Sequence, residues 1–169
     1  LAVLLLARNE PVSRDRLIDA LWGERPPATA PHTLDAYVSR LRRVLGPDSI
    51  RREPGGYVLA VAPGDLDLDR FEQIAREGRE RLAAREAKSA AERLRAALAL
   101  WRGPALADVV YEPFASQAAA ALEEQRLDVI EERIDADLGS GLDAELVGEI
   151  ERLVREHPFR ERLLGQLML

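Results

Sequence analysis

The chain has 169 residues, with 30 acidic and 24 basic side chains, no cysteine and a formal net charge of −6 at pH 7. The lack of cysteine excludes disulfides, thiolate zinc sites and cysteine nucleophiles, and no window offers the ~20 consecutive apolar residues of a membrane span. The chain starts without Met and ends in an apolar run. We therefore expect a piece of a longer, soluble, cytoplasmic protein without membrane contact.

Charge is distributed unevenly along the chain. Residues 1–62 carry 9 basic against 7 acidic side chains, whereas residues 63–169 carry 15 against 23. A turn at residues 62–65 separates the two parts. A small basic module joined to an acidic one can present a local positive surface to nucleic acid, although the total charge is negative. The sequence therefore predicts two domains, residues 1–62 and residues 65–169.

The first part begins with two predicted helices. An apolar run over residues 1–7 indicates a short helix whose N-terminal part lies outside the chain. The second helix begins at Ser13, whose hydroxyl can cap it, and ends at Gly23. Residues 24–29 form a loop, because two consecutive prolines lack amide donors. The predicted apolar stripe of the second helix consists of Leu17, Ile18, Leu21 and Trp22.

The third predicted helix starts at Pro31, and its segment from His32 to Leu45 has two opposite faces. At about 100° per residue, its apolar stripe consists of Leu34, Val38, Leu41 and Leu45. The opposite face offers donors and no acid, and it consists of His32, Ala36, Ser39, Arg40 and Arg43. Arg42 lies to the side, where it suits a phosphate or Asp35. Such a face can enter a major groove, although many charged helix faces are only solvated.

A predicted β-hairpin follows the third helix. Two β-rich runs, residues 50–52 and 57–61, flank a turn dense in Pro and Gly. Three helices followed by a hairpin with Arg51 and Arg52 at its base have the order of a winged helix. In that arrangement the last helix reads the groove and the wing reaches the backbone or the minor groove. The side chains expected to face the core are Tyr57, Leu59 and Val61.

The second part is predicted to be a series of helices joined by short turns, which is typical of a TPR-like stack. No convincing sequence repeat of the TPR length is present. Acidic residues near arginines, such as Glu131 and Asp135 around Arg133, indicate solvated faces. A longer helix spans residues 113–138, and a last helix starts at Phe159. The other predicted stripes are Phe71, Ile74, Ala75, Gly78 and Leu82; Ala91, Leu94, Leu98 and Trp101; and Leu146, Ile150, Leu153 and Val154.

Motifs for other chemistry are missing from the sequence. The acidic residues 65–69 do not begin an EF-hand loop, because Arg70 and Arg76 stand where glycine and glutamate are needed. His32 and His157 have no metal-binding neighbours, and neither a phosphate-binding loop nor a hydrolase elbow occurs. We therefore predict no enzyme activity, no catalytic residue, no metal site and no cofactor.

Several segments carry a family resemblance. Residues 1–62 resemble the effector domain of OmpR/PhoB-type response regulators in EPVSRDRLIDALWG, HTLDAYVSRLRRVLG and PGGYVL. The second part resembles the bacterial transcriptional activator domain in DLDRFEQIAREG, ALALWRGPALADV, EPFA and EHPFRERLLGQLM. Together they are similar to the Streptomyces antibiotic regulatory protein (SARP) family. The resemblance implies a mainly α fold, a winged helix-turn-helix with a β-hairpin wing followed by an all-α TPR-like domain.

The resemblance also implies how this first domain would meet DNA. The third helix becomes the recognition helix, and Arg40 matches the family position that tends to reach a base edge. Tyr37 lies beside the apolar stripe, so packing is its alternative role. Glu53 stands where an arginine often precedes the turn of the wing, so insertion into the minor groove falls to Arg51 or Arg52, or is lost. The candidate DNA contacts on the helix are His32, from the face geometry alone, with Thr33, Tyr37, Ser39, Arg40, Arg42 and Arg43.

For the whole protein, the resemblance implies a sequence-specific activator that binds direct repeats near promoters. Its implied partners are double-stranded DNA, RNA polymerase and a second copy in a head-to-tail homodimer on DNA, at the nucleoid. The loop at residues 24–29 corresponds to the segment that faces the polymerase, with Glu24 and Arg25 as exposed candidates; a proline-rich connector without a partner is the alternative. The family pattern also implies that N-terminal strands and further C-terminal helices lie outside the chain.

Two other functions stay open at the level of sequence. One is a protein-interaction scaffold built on TPR-like helices, whose winged helix no longer binds DNA, as the net charge of −6 permits. The other is the sensor part of a larger regulator with a downstream nucleotide-binding or repeat domain. Promoter preference in gel shifts at two salt concentrations separates the scaffold from the activator.

Overall fold

The structure is a computed structural model that describes residues 1–141 and 143–169, with side chains described for residues 1–141 and 146–169. The chain divides into two compact units. The first unit contains residues 1–65 and 104–121, and the second contains residues 66–103 and 122–169. The predicted mainly helical class, with a winged helix followed by an all-α part, is confirmed. Within the described residues, no helix has the length and apolarity needed to cross a membrane.

The first unit has the winged-helix order. Its elements are α1 (Ala2–Leu6), α2 (Arg14–Trp22), α3 (Ala30–Leu45), β1 (Ile50–Glu53) and β2 (Gly56–Leu59), together with residues 113–121 of a longer helix that follows in the chain. The two strands pair antiparallel, with Arg52 opposite Tyr57 and Glu53 opposite Gly56. They form the wing. The buried core of this unit consists of Leu4, Val12, Leu17, Leu34, Val38, Ile50, Tyr57 and Leu59.

Local chemistry explains where α2 begins and how the wing is attached. The Ser13 hydroxyl accepts a hydrogen bond from the Arg16 amide at 3.1 Å, which is the predicted cap. Just before it, Val12 exchanges two backbone hydrogen bonds of 2.9 Å with Tyr57. Gly56 has φ +135°, and an added Cβ would lie 1.9 Å from the Val12 carbonyl oxygen. Only glycine therefore allows the wing to approach the start of α2 this closely.

Two predicted core positions of the first unit are wrong. Periodicity predicts Leu21 and Leu45 in the apolar stripes of the second and third helices, yet both are exposed. Each belongs to the last turns of its helix, beyond the buried cluster that Leu17, Leu34 and Val38 form. Periodicity identified the correct side of each helix, but it does not show how far along the helix the neighbouring elements reach.

In its described residues the second unit consists of helices and the turns and loops that join them. It contains α4 (Asp67–Ala83), α5 (Ala87–Leu98), residues 122–139 of α6 (Pro113–Gly139), α7 (Asp143–Glu156) and α8 (Glu161–Leu167). Helices α4 and α5 form a closely packed pair because Gly78 leaves room for Leu94; a Cβ at Gly78 would lie 2.7 Å from that side chain. The Trp101 ring packs edge-on against Phe71 at 5.3 Å between centroids.

Three details of the second unit differ from the sequence prediction. α5 ends at Leu98, so Trp101 packs from the segment after the helix. α8 begins at Glu161 rather than Phe159, because residues 157–160 form a turn closed by a 3.1 Å hydrogen bond from the Arg160 amide to the His157 carbonyl. Phe159 itself is exposed. α6 ends at residue 139, one residue beyond its predicted end.

The predicted solvated face around Arg133 is wrong. Relative exposure is 3% for Glu131, 7% for Arg133 and 0% for Asp137, so this side of α6 is buried. Arg133 donates to Asp137 at 3.1 Å and to Glu149 of α7 at 2.5 and 2.9 Å. Arg95 of α5 binds the other oxygen of Asp137. Burial of these charges is tolerated because each has an opposite charge and hydrogen bonds from neighbouring helices.

Candidate nucleic-acid interface

The outward face of α3 is the first component of the candidate interface. Leu34 and Val38 anchor the opposite side of the helix in the core. α3 contains 16 residues and is therefore roughly 24 Å long, enough to cross a major groove. The predicted face lies in solvent as expected, with His32, Ala36, Ser39, Arg40 and Arg43 exposed.

Four arginines of α3 and the wing form no ion pair with a described carboxylate. Arg40, Arg43, Arg51 and Arg52 are all exposed. Within the described part of the chain, no carboxylate lies within 4.0 Å of their guanidinium groups. A guanidinium without an internal acid keeps its donors available for a phosphate or for the acceptors of a guanine edge.

Three other predicted contact residues of α3 have internal hydrogen bonds. The Thr33 hydroxyl donates to the Thr29 carbonyl at 3.1 Å, and the Ser39 hydroxyl donates to the Asp35 carbonyl at 2.8 Å. Half-buried Arg42 donates from Nε to the Ile50 carbonyl of β1 at 2.8 Å. The alternative in which Arg42 pairs with Asp35 is wrong, and Arg42 instead connects α3 to β1 of the wing.

Tyr37 has a packing contact and an exposed edge at the same time. Its ring stacks on Trp22 of α2, with 6.3 Å between centroids and 12° between planes. The residue is nevertheless 40% exposed. Both roles predicted for Tyr37 are therefore compatible with its position, since the ring face packs while the edge and hydroxyl remain accessible.

The wing carries its arginines on β1. Arg51 lies opposite Val58 and Arg52 opposite Tyr57 in the antiparallel register. Glu53 pairs with Gly56 at the tip and is exposed. An acid at the tip repels a phosphate backbone, so the attractive charge of the wing lies nearer its base.

Asp35 joins three elements of the winged helix and was missed as a site residue by the sequence analysis. Its carboxylate accepts hydrogen bonds from the Tyr57 hydroxyl at 2.5 Å and from Arg14 at 3.1 Å. Arg14 also donates to the Pro31 carbonyl at 3.1 Å. The Tyr57 hydroxyl, followed by Arg14, lowers the pKa of Asp35, while burial and the Asp35 charge raise the pKa of Tyr57.

Two signals in the sequence pointed to this contact. Asp35 is the lone acid of a helix rich in arginine. Tyr57 belongs to a strand predicted to face the core, and a buried tyrosine hydroxyl needs a hydrogen-bond partner. The two residues are 22 positions apart in the sequence, so no local pattern predicts that they pair.

The loop between α2 and α3 holds the other predicted site. Glu24 and Arg25 are both exposed, as is the rest of residues 23–29.

Metal binding is a separate question. The described residues contain no group of three or more His, Asp or Glu side chains placed to hold a metal ion.

Comparisons with known proteins agree with this architecture. Residues 1–59 match the family model for the C-terminal domain of transcriptional regulatory proteins, and residues 66–169 match the bacterial transcriptional activator domain. The chain is 44% identical over 170 residues to the regulatory protein AfsR of Streptomyces coelicolor, covering 100% of this chain and 17% of AfsR. It is 38% identical to the regulatory protein DnrI of Streptomyces peucetius, covering 99% of this chain and 66% of DnrI.

A solved structure shares the fold over nearly the whole chain. Mycobacterium tuberculosis EmbR in complex with a low-affinity phosphopeptide matches with a TM-score of 0.92 and 37% identity, over 98% of this chain and 45% of EmbR. The chain thus spans only part of the length of these relatives. Because both family models match in order and together cover most of its residues, the chain belongs to the SARP family of transcriptional regulators, with an OmpR/PhoB-type winged helix followed by a bacterial transcriptional activator domain.

Proposed function

We propose that the chain is the DNA-binding and activating part of a sequence-specific transcriptional activator, and that it has no catalytic role. In this proposal residues 1–62 bind a promoter, and residues 65–169 form a surface for assembly with other proteins. The observation that carries the proposal is the exposed face of α3 and the wing, whose four arginines have no acid partner among the described residues. Such a protein acts in the cytoplasm, at the nucleoid.

In this proposal α3 reads the bases and the wing contacts the phosphate backbone. Arg40 and Arg43 point outward from the same helix that buries Leu34 and Val38, so α3 can lie in a major groove with its core side turned away. Arginine can bind the O6 and N7 acceptors of guanine with two hydrogen bonds. Arg51 and Arg52 then contact the phosphate backbone beside the groove, which fixes orientation without reading sequence.

The neighbouring side chains of α3 have supporting roles in this proposal. His32, Thr33, Tyr37 and Ser39 border the groove-facing surface. Arg42 keeps α3 and β1 together through the Ile50 carbonyl, while its terminal nitrogens can reach a phosphate. In the proposal, a second copy bound to an adjacent direct repeat completes the assembly on DNA.

We test DNA recognition with a duplex selected from a random-sequence library by the 169-residue chain, compared with a shuffled duplex of equal composition. Fluorescence anisotropy between 50 and 200 mM salt measures both affinities. Arg40→Ala is expected to lose about 1–3 kcal/mol of preference for the selected duplex. Arg52→Ala is expected to reduce the salt slope by about 0.9 and to leave the preference unchanged.

The same experiment identifies the scaffold alternative. A chain that acts only as a protein-interaction scaffold enriches no sequence from the library and binds both duplexes equally at every salt concentration. A preference that survives both arginine substitutions would show that another surface reads the DNA.

RNA polymerase contact is proposed for the α2–α3 loop. Replacing Glu24 and Arg25 together by alanine should leave duplex affinity unchanged, because both lie outside the face of α3 that enters the groove. Transcription in vitro from a promoter carrying the selected site should fall towards the level without activator. Unchanged activation with this double variant would place the polymerase contact elsewhere.

A further inference from the structure

The contacts around Asp35 point to a function beyond internal packing. Asp35 lies on α3, Arg14 begins α2 and Tyr57 lies in β2, so one carboxylate receives donors from a neighbouring helix and from the wing. Tyr57 is buried, and its backbone is fixed by two hydrogen bonds of 2.9 Å to Val12. The position of Tyr57 is therefore determined from both its backbone and its hydroxyl.

The cross-strand partner of Tyr57 is Arg52. The two residues face each other in the antiparallel register of the wing. Facing residues on paired strands have closely spaced Cβ atoms, so a displacement of Tyr57 moves Arg52 with it. The positive charge of Arg52 also acts on the Asp35 carboxylate, and it contributes to the low pKa of that group.

We infer that Asp35 and Tyr57 are positioning residues for DNA binding, which hold Arg52 of the wing at a fixed distance from the base-reading face of α3. This inference rests on the proposed function. Without the Tyr57 hydroxyl, the wing keeps its backbone pairing to Val12 and the Arg42 hydrogen bond to Ile50 at its base, but β2 loses its hydrogen bond to α3 opposite Arg52. Arg52 would then contact the phosphate backbone from a range of positions. Its average contribution to affinity would therefore be smaller.

A double-mutant cycle tests the inference with the full chain, the selected duplex and the shuffled duplex. Arg52→Ala should weaken binding of the otherwise unchanged chain by about fivefold, and by less than about twofold when Tyr57→Phe is also present. Arg40→Ala should cause the same loss of sequence preference in both backgrounds, because α3 itself is unchanged. The salt slope should fall with Tyr57→Phe alone, by about as much as with Arg52→Ala.

Tyr111→Phe is the matched control, because Tyr111 is 97% exposed and belongs to the same compact unit. It should change neither affinity nor slope. Asp35→Asn is the second variant: it keeps an acceptor for the Tyr57 hydroxyl and removes the charge that pairs with Arg14 at 3.0 Å. It should retain more of the Arg52 contribution than Asp35→Ala does, and it keeps the inference testable if Tyr57→Phe fails to fold.

The outcomes separate the inference from the proposed function. If the unchanged chain does not distinguish the selected from the shuffled duplex, the proposed function is wrong. If it does, and Arg52→Ala has the same effect on affinity with and without the Tyr57 hydroxyl, the positioning role is wrong while DNA recognition stands.

Discussion

The two compact units differ in how their arginines are paired: in the first unit Arg14 binds Asp35, but the exposed arginines of α3 and the wing have no such partner. In the second unit most arginines are bound to carboxylates of the same chain; the paired ones are Arg79, Arg81, Arg93, Arg95, Arg102, Arg126, Arg133, Arg152, Arg160 and Arg162. In the first unit, Arg40, Arg43, Arg51 and Arg52 have no described carboxylate within ion-pair distance.

The difference shows that arginine content alone does not identify a DNA-binding surface. Arg160 contacts Asp128 at 2.7 Å and Glu131 at 3.3 Å, so its donors are used to join α6 to the start of α8. Arg40 has no such acid and keeps its donors for a ligand. Whether an arginine stabilises the fold or can bind a partner depends on the acids that the fold brings to it.

The largest expected effect comes from replacing the buried carboxylate that two paired arginines of the second unit share. Asp137→Asn leaves Arg95 and Arg133 without their shared carboxylate, and it should lower the free energy of unfolding of the second unit by about 3–5 kcal/mol. Urea denaturation followed by Trp101 fluorescence in a Trp22→Phe background reports this unit alone, because the chain has only two tryptophans.

The control for this prediction is Glu156→Gln. It removes the exposed pair with Arg152 and should cost about 0–1 kcal/mol. Equal losses for Asp137→Asn and Glu156→Gln would mean that the buried charges of α6 contribute no more than a surface pair.

A smaller effect is expected within α3, where an arginine with an internal hydrogen bond stands next to one without. Arg42→Ala removes the hydrogen bond to the Ile50 carbonyl and should cost about 1.5 kcal/mol of unfolding free energy in the first unit. Arg43→Ala removes no hydrogen bond to a described acceptor and should change the same free energy of unfolding by no more than about 0.5 kcal/mol. Trp22 fluorescence in a Trp101→Phe background measures both, and a larger loss for Arg43→Ala would reverse the assignment.

The smallest effects concern pH, and they have opposite signs in the two units. Asp35 has a lowered pKa, chiefly through the Tyr57 hydroxyl, so its stabilisation is complete above its ordinary pKa of about 3.9 and is lost as the pH falls through the lowered value. Denaturation series from pH 3 to pH 7 should therefore show the advantage of the unsubstituted chain over Asp35→Asn shrinking below about pH 4.

Glu131 shows the reverse dependence. Burial raises its pKa despite Arg160 and Arg162, so the protonated form is favoured in the fold and its contribution falls as the pH rises above about 4.3. Relative to Glu131→Gln, the second unit should lose stability between that pH and neutrality. A gain over this interval would show that the arginines outweigh the cost of burial.

Local patterns predicted much of the fold. The Ser13 cap, the Leu34 and Val38 stripe and the turn before Tyr57 each depend on neighbours within a few positions, and the structure confirms all three. Leu45 was wrong because helical periodicity gives a direction around the axis and no information about how far along it the core extends.

Long-range polar contacts could not be predicted in the same way. Arg133 followed by Asp137 has the spacing of a solvated helix pair, and only the approach of Arg95 and Glu149 from other helices buries it. Asp35 and Tyr57 likewise meet through the packing of α3 against the wing. The outward face of α3 was predictable because it depends on one helix alone, whereas its connection to the wing depends on tertiary structure.

The central claim is tested most directly by replacing a pair of exposed arginines with alanine in one unit or in the other, as two separate double variants. The double variant Arg40→Ala with Arg43→Ala removes charges without a described ion-pair partner. The double variant Arg79→Ala with Arg152→Ala removes charges that are paired to Glu132 and Glu156. The affinity ratio for selected over shuffled duplex should fall at least about tenfold with the first pair and stay unchanged with the second. An unchanged ratio with the first pair, or a lost preference with the second, would contradict the account.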